Sequence, residues 1–351
     1  MPPPPISFQP ALKLTLFGKN VSIVPYELLD ECVTETYFDY IFVSGNEGYV
    51  INQLKNLGIE KQKIVNMSLT SSFLLTYHVR LIRQIKSNIS KYKILFVGLS
   101  YVRDGIDLSC FDLPAVVCAG SSQDLFYDYE YIKRMLSEEN NQFKYVFIGL
   151  APYSFNFDLS LGNNSNFILG YYLAFKKTHN FQVNDEDMEK IFNDQHLNLF
   201  ETLDKINYPF DLDLNDLYKW KKQNNHPMDV SARFGARERA EVWSKKRFPL
   251  TIAENTKILK ECIHFCRSKN TIPILVLYPK SHVYMRFFSK RMLDEFYYIL
   301  NQIKEEEKIE VLDYTQWNEI TINDFYNVDH LNSSGAKKVS TAINDYIMNK
   351  R

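Results

Sequence analysis

Five short apolar segments separated by helical patterns constrain the fold of this chain most strongly. The expected strands span residues 94–99, 115–118, 145–150, 272–278 and 309–312. The expected helices span residues 124–139, 251–267, 284–306 and 337–348. Strands that alternate with helices indicate a parallel sheet covered on both faces. The sequence therefore predicts an α/β fold, a three-layer flavodoxin-like sandwich whose functional groups lie beyond the carboxyl ends of the strands.

The first 85 residues show the same alternation on a smaller scale. Strands are expected at residues 12–17, 38–43 and 63–67, and helices at 26–36 and 47–57. We therefore expect a small Rossmann-like α/β domain at 1–85, a connecting helix at 71–92 and a catalytic domain at 86–351. Gly18-Lys19-Asn20 is not a glycine-rich phosphate loop, which disfavours nucleotide binding and leaves a structural or pairing role as the alternative.

The strand and helix pattern breaks between residues 155 and 250. A segment of this length is too long for a plain loop, which predicts a helical insertion. Its second half is basic, with Arg233, Arg237, Arg239, Lys245, Lys246 and Arg247. The insertion is expected either to form a lid over the strand ends or to present a solvated basic helix face.

Composition excludes several classes of protein. The net charge of -1 argues against a dedicated nucleic-acid binder, whose surface would be basic. No apolar run reaches the ~18 residues that a membrane span needs, and the start of the chain lacks the basic and apolar parts of a signal peptide. The odd number of cysteines disfavours a disulfide framework, and Cys262, His264 and Cys266 do not share one helix face as a zinc site would require. These features predict a cytoplasmic protein.

Residues capable of nucleophilic catalysis follow the expected strands. Ser100 comes directly after the buried segment at 94–99, Gly120 follows the next strand, and His330 lies in a turn before the last helix. A serine hydroxyl attacks efficiently only when a base takes its proton and N–H groups stabilise the oxyanion. We expect Ser100 to be the nucleophile, His330 its base, and the N–H groups of Ser100 and Gly120 the oxyanion donors. A capping role for Ser100 and a purely structural turn role for His330 are the alternatives.

Three segments together resemble one family. Gly98-Leu99-Ser100, Ala119-Gly120-Ser121-Ser122 and Asn327-Val328-Asp329-His330-Leu331 resemble the nucleophile, oxyanion and acid–base segments of SGNH/GDSL-type hydrolases. The likeness is to the branch of bacterial polysaccharide O-acyltransferases and esterases, and it covers roughly residues 93 to 348 outside the insertion. It implies an SGNH sandwich with Ser100 as nucleophile, Gly120 as an oxyanion donor and His330 as base.

The sequence departs from the family pattern at two places. Asn327 replaces the aspartate expected three residues before the histidine. Asparagine can orient an imidazole but does not stabilise its positive charge, so Asp329 and Asp324 are further candidates for the acid. Asp329 is expected to point away from the ring of its neighbour. The asparagine that the family often carries after the third strand is also missing, and Tyr153 or Ser154 could donate to the oxyanion instead.

The resemblance implies serine-dependent acyl transfer, as an O-acetyltransferase or esterase acting on a carbohydrate or surface-polysaccharide precursor. No resident cofactor or metal is expected, although an acyl donor such as acetyl-CoA would fit, and a homo-oligomer is left open. Two alternatives remain. One is a catalytically inactive SGNH-like binding protein, suggested by Asn327 and by the missing asparagine after the third strand. The other is transfer of a non-acyl group, such as a phosphoryl-type group, to a glycan.

Overall fold

The computed structural model describes residues 12–16, 19–23, 41–43, 47–60, 63–66, 73–162, 167–180, 225–244 and 248–350. The packing divides the chain into two compact units. One comprises Met1–Thr76 and Val183–Phe210, the other Tyr77–Gln182 and Asp211–Arg351. The domain limit expected near residue 85 stays a prediction. None of the described helices has the length and apolar character needed to cross a lipid bilayer.

The smaller unit contains two pairs of strands. Its described elements are β1 (Leu12–Leu16), β2 (Lys19–Ile23), β3 (Ile41–Val43), α1 (Glu47–Asn56) and β4 (Ile64–Asn66). β3 and β4 pair in parallel, as the alternating pattern predicts, whereas β1 pairs antiparallel with β2, a strand that the sequence did not indicate. The helix expected at 26–36 lies outside the described residues. Val43 and Leu54 are buried against each other and form the described core of this unit.

The larger unit is built on a five-stranded parallel sheet. Its strands are β5 (Ile94–Gly98), β6 (Ala115–Ala119), β7 (Tyr145–Leu150), β8 (Ile272–Leu277) and β9 (Glu310–Asp313). They pair in the order β6-β5-β7-β8-β9, with every neighbouring pair parallel. Every residue of β5 and β7 is buried, as expected for strands covered on both faces. This arrangement confirms the predicted fold class, and the order reverses between β5 and β7, where ligands bind in open α/β sheets.

Helices surround this sheet. They are α2 (Phe73–Ser87), α3 (Ser100–Gly105), α4 (Leu125–Leu136), α5 (Ile168–Phe175), α6 (Val230–Phe234), α7 (Ala236–Ser244), α8 (Pro249–Ser268), α9 (His282–Met285), α10 (Lys290–Glu307) and α11 (Ser333–Asn349). The single helix expected at 284–306 is divided into α9 and α10, because Ser289 caps a new helix by accepting from Met292 N.

Cys262 and Cys266 of α8 are buried in the core, while His264 is exposed and contacts Glu307.

Two glycines let α3 approach the sheet closely. Gly98 ends β5 with a φ of +144°, a conformation that residues with a side chain rarely adopt. A Cβ at Gly98 or at Gly149 of β7 would overlap Cγ2 of Val102. Val102 therefore packs directly on the backbone of both strands. This contact fixes the height of α3, and with it the position of Ser100, above the carboxyl ends of β5 and β7.

The last helix is attached to the segment that follows α3. The N–H of Asp107 donates to Oγ of Ser340 at 2.7 Å. Asn344 accepts from the N–H of Asp112 at 3.0 Å and donates to its carboxylate at 3.0 Å. The turn that carries His330 immediately precedes α11. These hydrogen bonds therefore place the histidine turn beside α3.

The glycine contact yields a stability prediction. Gly149→Ala should destabilise the protein by about 1–3 kcal/mol, the usual cost of overpacking a core. Combining it with Val102→Ala should cost less than the sum of the two single changes, because the shortened side chain removes the clash. Gly98→Ala should not be rescued in this way, since its positive φ remains strained. Urea unfolding of the single and double variants measures these differences, and strictly additive costs for Gly149→Ala would contradict the packing argument.

Candidate active site

Ser100 and His330 meet at the carboxyl edge of the sheet. Ser100 is the first residue of α3, separated from the end of β5 by Leu99 alone, and His330 lies in the turn that precedes α11. Oγ of Ser100 is 2.8 Å from Nε2 of His330. The imidazole is buried, with 6% of the residue exposed. The structure thus brings the predicted nucleophile and its predicted base into hydrogen-bonding distance, the geometry that serine activation requires.

Two oxygen atoms face the other ring nitrogen of His330. Oδ1 of Asp329 lies 3.1 Å from Nδ1, and Oδ1 of Asn327 lies 3.2 Å from it. The Asn327 oxygen also accepts the N–H groups of Asp329 at 3.1 Å and His330 at 2.9 Å. Asn327 therefore shapes the turn, and Asp329 supplies the carboxylate. The expectation that Asp329 points away from the ring is wrong, because this tight turn directs both neighbouring side chains to the same side.

The Asp329 carboxylate is buried and fully engaged. Besides His330, it accepts from Nε of Arg239 at 2.8 Å and from the hydroxyl of Tyr101 at 2.9 Å. Burial alone would raise the pKa of Asp329, but His330 and Arg239 outweigh this effect and hold its pKa well below the usual range. The carboxylate consequently stays ionised at neutral pH, as required to stabilise an imidazolium.

Asp324, the other candidate acid, has a structural role. Its carboxylate accepts from the N–H of Thr321 at 2.8 Å, from Lys338 at 2.8 Å and from the hydroxyl of Ser334 at 2.8 Å. These partners attach the turn at 321–324 to the start of α11. The candidacy of Asp324 as the orienting acid is therefore wrong, since its oxygens serve this attachment.

The structure places the proposed oxyanion donors in different surroundings. The Cα of Gly120 faces the hydroxyl of Tyr171 and the ring of His78, and the pocket wall next to it is formed by Ser121 and Ser122. The role of Gly120 as an oxyanion donor stays a prediction. Ser154, the alternative donor, turns its hydroxyl back to accept from the N–H of Ala151 at 2.9 Å.

Tyr153 lines the pocket, and its hydroxyl points towards Tyr101. The hydroxyl donates to that of Tyr101 at 3.1 Å, and burial raises the pKa of Tyr153 above its usual range. Its ring stacks on Trp243 of α7 at a centroid distance of 4.4 Å. Tyr153 thus joins the hydrogen-bond chain behind Asp329 and supports the pocket wall.

A pocket of about 290 Å³ opens above Ser100. It is lined by Leu99, Ser100, Tyr101, Arg103, Ser121, Ser122, Tyr153, Arg239, Trp243, Tyr326, Asn327 and His330. Arg103 donates to Ser121 Oγ at 2.8 Å and to the Asp104 carboxylate at 2.8 Å. Arg239 and Trp243 come from the insertion, so this segment supplies part of the pocket wall. In the sequence Arg239 belongs to a basic run, and nothing in that pattern indicates that it contacts a buried aspartate.

Lys280 is a buried lysine beside Tyr101, the residue whose hydroxyl donates to Asp329. The residue is 6% exposed, and its Nζ lies 3.0 Å from the ring centroid of Tyr101. Among the residues that the structure describes, this ammonium has no hydrogen-bond partner. Burial lowers the pKa of Lys280 to about 7, against the attraction of Asp329. The sequence offered no sign of it, because a lysine after a strand end normally lies in solvent.

Comparisons with known proteins add little to this geometry. No protein-family model and no curated protein sequence matches the chain. Similar solved structures include a candidate acylhydrolase from Bacteroides fragilis, 10% identical with a TM-score of 0.40, the match covering 78% of this chain and 96% of that chain. A GDSL-like lipase from Bacteroides thetaiotaomicron is 9% identical with a TM-score of 0.36, the match covering 77% and 98%. Scores this low decide neither fold nor function, which depend on the observations above.

Lys280 gives the site a measurable pH signature. Its pKa in the folded state lies below the unfolded value of 10.5. Below pH 7 the buried side chain is charged, and the free energy of unfolding carries the full cost of burying that charge. Above pH 7 the side chain loses its proton in the folded state, so this cost decreases as the pH rises. Lys280→Met should therefore stabilise the protein most at pH 6. That advantage should narrow by about 1.4 kcal/mol per pH unit above pH 7.

Urea unfolding of wild type and variant at pH 6, 7, 8 and 9 measures this change. Lys257→Met is the matched control, because Lys257 is an exposed lysine of α8 with a side chain 77% exposed. A pH-independent difference for Lys280→Met would rule out the buried, depressed ammonium.

Proposed function

We propose that this protein catalyses serine-dependent acyl transfer. The observation that supports this most directly is the chain of hydrogen bonds from Ser100 Oγ to His330 Nε2, 2.8 Å, and from His330 Nδ1 to Asp329 Oδ1, 3.1 Å. The same order of nucleophile, base and orienting acid recurs in many unrelated folds. Its position at the switch point of the parallel sheet is also where such folds bind ligands.

The proposed reaction has two half-steps. His330 Nε2 takes the hydroxyl proton while Ser100 Oγ attacks the carbonyl carbon of an ester or thioester. Collapse of the tetrahedral intermediate expels the alcohol or thiol, which receives the proton from His330 and leaves an acyl-Ser100 ester. Water or an acceptor hydroxyl then gives its proton to His330 and attacks the acyl-enzyme, which restores Ser100. Asp329 keeps Nδ1 protonated and stabilises the imidazolium in both half-steps.

The oxyanion requires N–H donors that are free of backbone partners. Leu99 O accepts from Val102 N at 2.9 Å and Arg103 N at 3.4 Å, the first bonds of α3. The N–H of Ser100 precedes these bonds, as expected at a helix start. We therefore propose the Ser100 N–H as one donor and retain the N–H of Gly120 as the second.

We propose a carbohydrate or glycan precursor as the acyl acceptor or substrate. The pocket offers serine hydroxyls, Arg103 and the indole of Trp243, groups that suit a polyhydroxylated ligand. An acyl donor such as acetyl-CoA fits the transferase version, and water replaces the acceptor in the esterase version. The competing hypothesis of an inactive binding protein loses one of its two supports, because Asp329 supplies a carboxylate beside His330 although Asn327 replaces the expected aspartate.

Hydrolysis of p-nitrophenyl acetate tests the proposal. Ser100→Ala and His330→Ala should each lower kcat/KM by ~10²-fold or more. Asp329→Asn should lower it by on the order of 10²- to 10⁴-fold, because the amide neither holds the correct tautomer nor stabilises its charge. A fluorophosphonate should label wild type and not Ser100→Ala. His264→Ala, at an exposed histidine on α8, is the matched control and should keep full activity.

Thermal unfolding of each variant shows whether the fold is intact. Two results together would contradict the proposal: wild-type hydrolysis that is no faster than that of folded Ser100→Ala, and no labelling of wild type by the fluorophosphonate.

Arg239 provides a second test within one helix. Its Nε contacts Asp329 at 2.8 Å, whereas Arg237 of the same helix faces Glu241 at 3.9 Å and the ring of Phe287. Arg239→Met should lower kcat by about tenfold, because Asp329 loses a charged hydrogen bond. Arg237→Met should leave kcat unchanged. Equal effects of the two changes would show that α7 acts only through general packing or charge.

A further inference from the structure

A second group of ionisable side chains lies apart from the residues that line the Ser100 pocket. Asp124 caps α4, Asp158 follows β7, and His179 follows α5. All three are buried, and one potential ligand atom from each lies within 4.8 Å of the other two. Buried charges are costly unless paired or bound to a metal ion, so this arrangement requires a compensating charge.

The contacts of His179 determine which ring nitrogen carries the proton. Nε2 of His179 is 2.9 Å from Oε1 of Glu254. A carboxylate accepts only, so Nε2 must be the protonated nitrogen. The amide of Asn180 also lies 3.2 Å from Nε2, but its two hydrogens are directed to Asp158 at 2.9 Å and Glu254 at 2.8 Å. In the neutral ring, Nδ1 therefore presents a lone pair.

That lone pair faces the carboxylate of Asp158. Nδ1 of His179 lies 3.6 Å from Oδ2 of Asp158 and, among the described residues, has no hydrogen-bond partner. The ring is held in this orientation by Phe126, which stacks on it at a centroid distance of 4.5 Å and an angle of 6°. A lone pair directed at a carboxylate in a buried site is repulsive unless a cation or a proton lies between them.

Both carboxylates are held in place and retain acceptor capacity. Asp124 accepts the N–H groups of Tyr127 at 3.1 Å and Leu159 at 2.9 Å, one on each oxygen. Asp158 accepts the N–H of Ser160 at 2.7 Å on Oδ1 and Asn180 on Oδ2. A carboxylate offers about four lone-pair positions, so each group can still bind a cation.

We propose that Asp124, Asp158 and His179 bind a divalent transition-metal ion, with Glu254 orienting the histidine from the outside. Two carboxylate oxygens and one imidazole nitrogen form a ligand set that suits Zn²⁺ or Mn²⁺. A histidine that donates its second N–H to a carboxylate is the usual support of such a ligand. The ion links the start of α4, the segment after β7 and the segment after α5, so its role is to stabilise this part of the fold.

The competing explanation is a doubly protonated His179 that bridges Glu254 and Asp158. It needs no metal and predicts that a proton fills the gap between Nδ1 and Oδ2. The two explanations differ in whether the folded chain takes up a stoichiometric ion through these residues.

Zinc binding by the full chain distinguishes them. The purified protein, stripped with a chelator and verified as folded by circular dichroism, is titrated with ZnCl₂ in a calorimeter and analysed for retained metal after dialysis. Wild type should retain about one zinc ion per chain, and its Tm should rise by several degrees with excess zinc. Asp158→Asn, which keeps the shape of the side chain, and His179→Ala should both lose this binding.

His264→Ala is the matched control, because it removes an exposed histidine elsewhere on the surface, and it should bind zinc as wild type does. Co²⁺ in place of zinc should give wild type visible d–d absorption that is missing in Asp158→Asn. This second readout covers the case in which His179→Ala fails to fold. No retained zinc in wild type, or equal retention in wild type and folded Asp158→Asn, would overturn the proposal and favour the protonated histidine.

Discussion

The buried carboxylate of Asp329 is the constraint on which the candidate active site depends. A carboxylate removed from water costs several kcal/mol unless donors replace its hydration. Here the donors come from three parts of the chain, Tyr101 in α3, Arg239 in α7 and the ring of His330. Because the charge must be satisfied, these segments hold one another in place. The orientation of the His330 ring, the position of α7 and the position of Ser100 are therefore coupled through one side chain.

The parts of this design that depend on local pattern could be predicted from the sequence. β5 and β7 are continuous apolar runs, and their observed limits match the expected ones within a residue. Ser100 lies just past the end of β5, after Leu99, and His330 lies at the same edge of the sheet. These features depend on periodicity and on the rule that strand ends of a parallel sheet share one edge. They do not depend on the detailed geometry of individual turns.

The features that sequence reasoning missed depend on turn geometry and on contacts between distant residues. Asp329 lies beside the His330 ring only because the side chain of Asn327 accepts two backbone N–H groups and tightens the turn. The pairing of Arg239 with Asp329 joins two segments with no shared motif. The group formed by Asp124, Asp158 and His179 has irregular spacing, so no pattern in the sequence marks it. Each of these depends on three-dimensional packing between residues that lie far apart or in tight turns, which the sequence pattern does not indicate.

The attachment of α11 to the segment after α3 also affects the order of assembly during synthesis. Ser100 and His330 are 230 positions apart, and the hydrogen bonds of Ser340 and Asn344 hold the histidine turn in place. At 5–20 residues per second, roughly 10 to 50 seconds separate the two residues on the ribosome. Throughout that interval β5, β6 and β7 can pair, but the hydroxyl of Ser100 has no imidazole beside it. The contact between Ser100 and His330 therefore forms only after α11 has docked on the segment after α3.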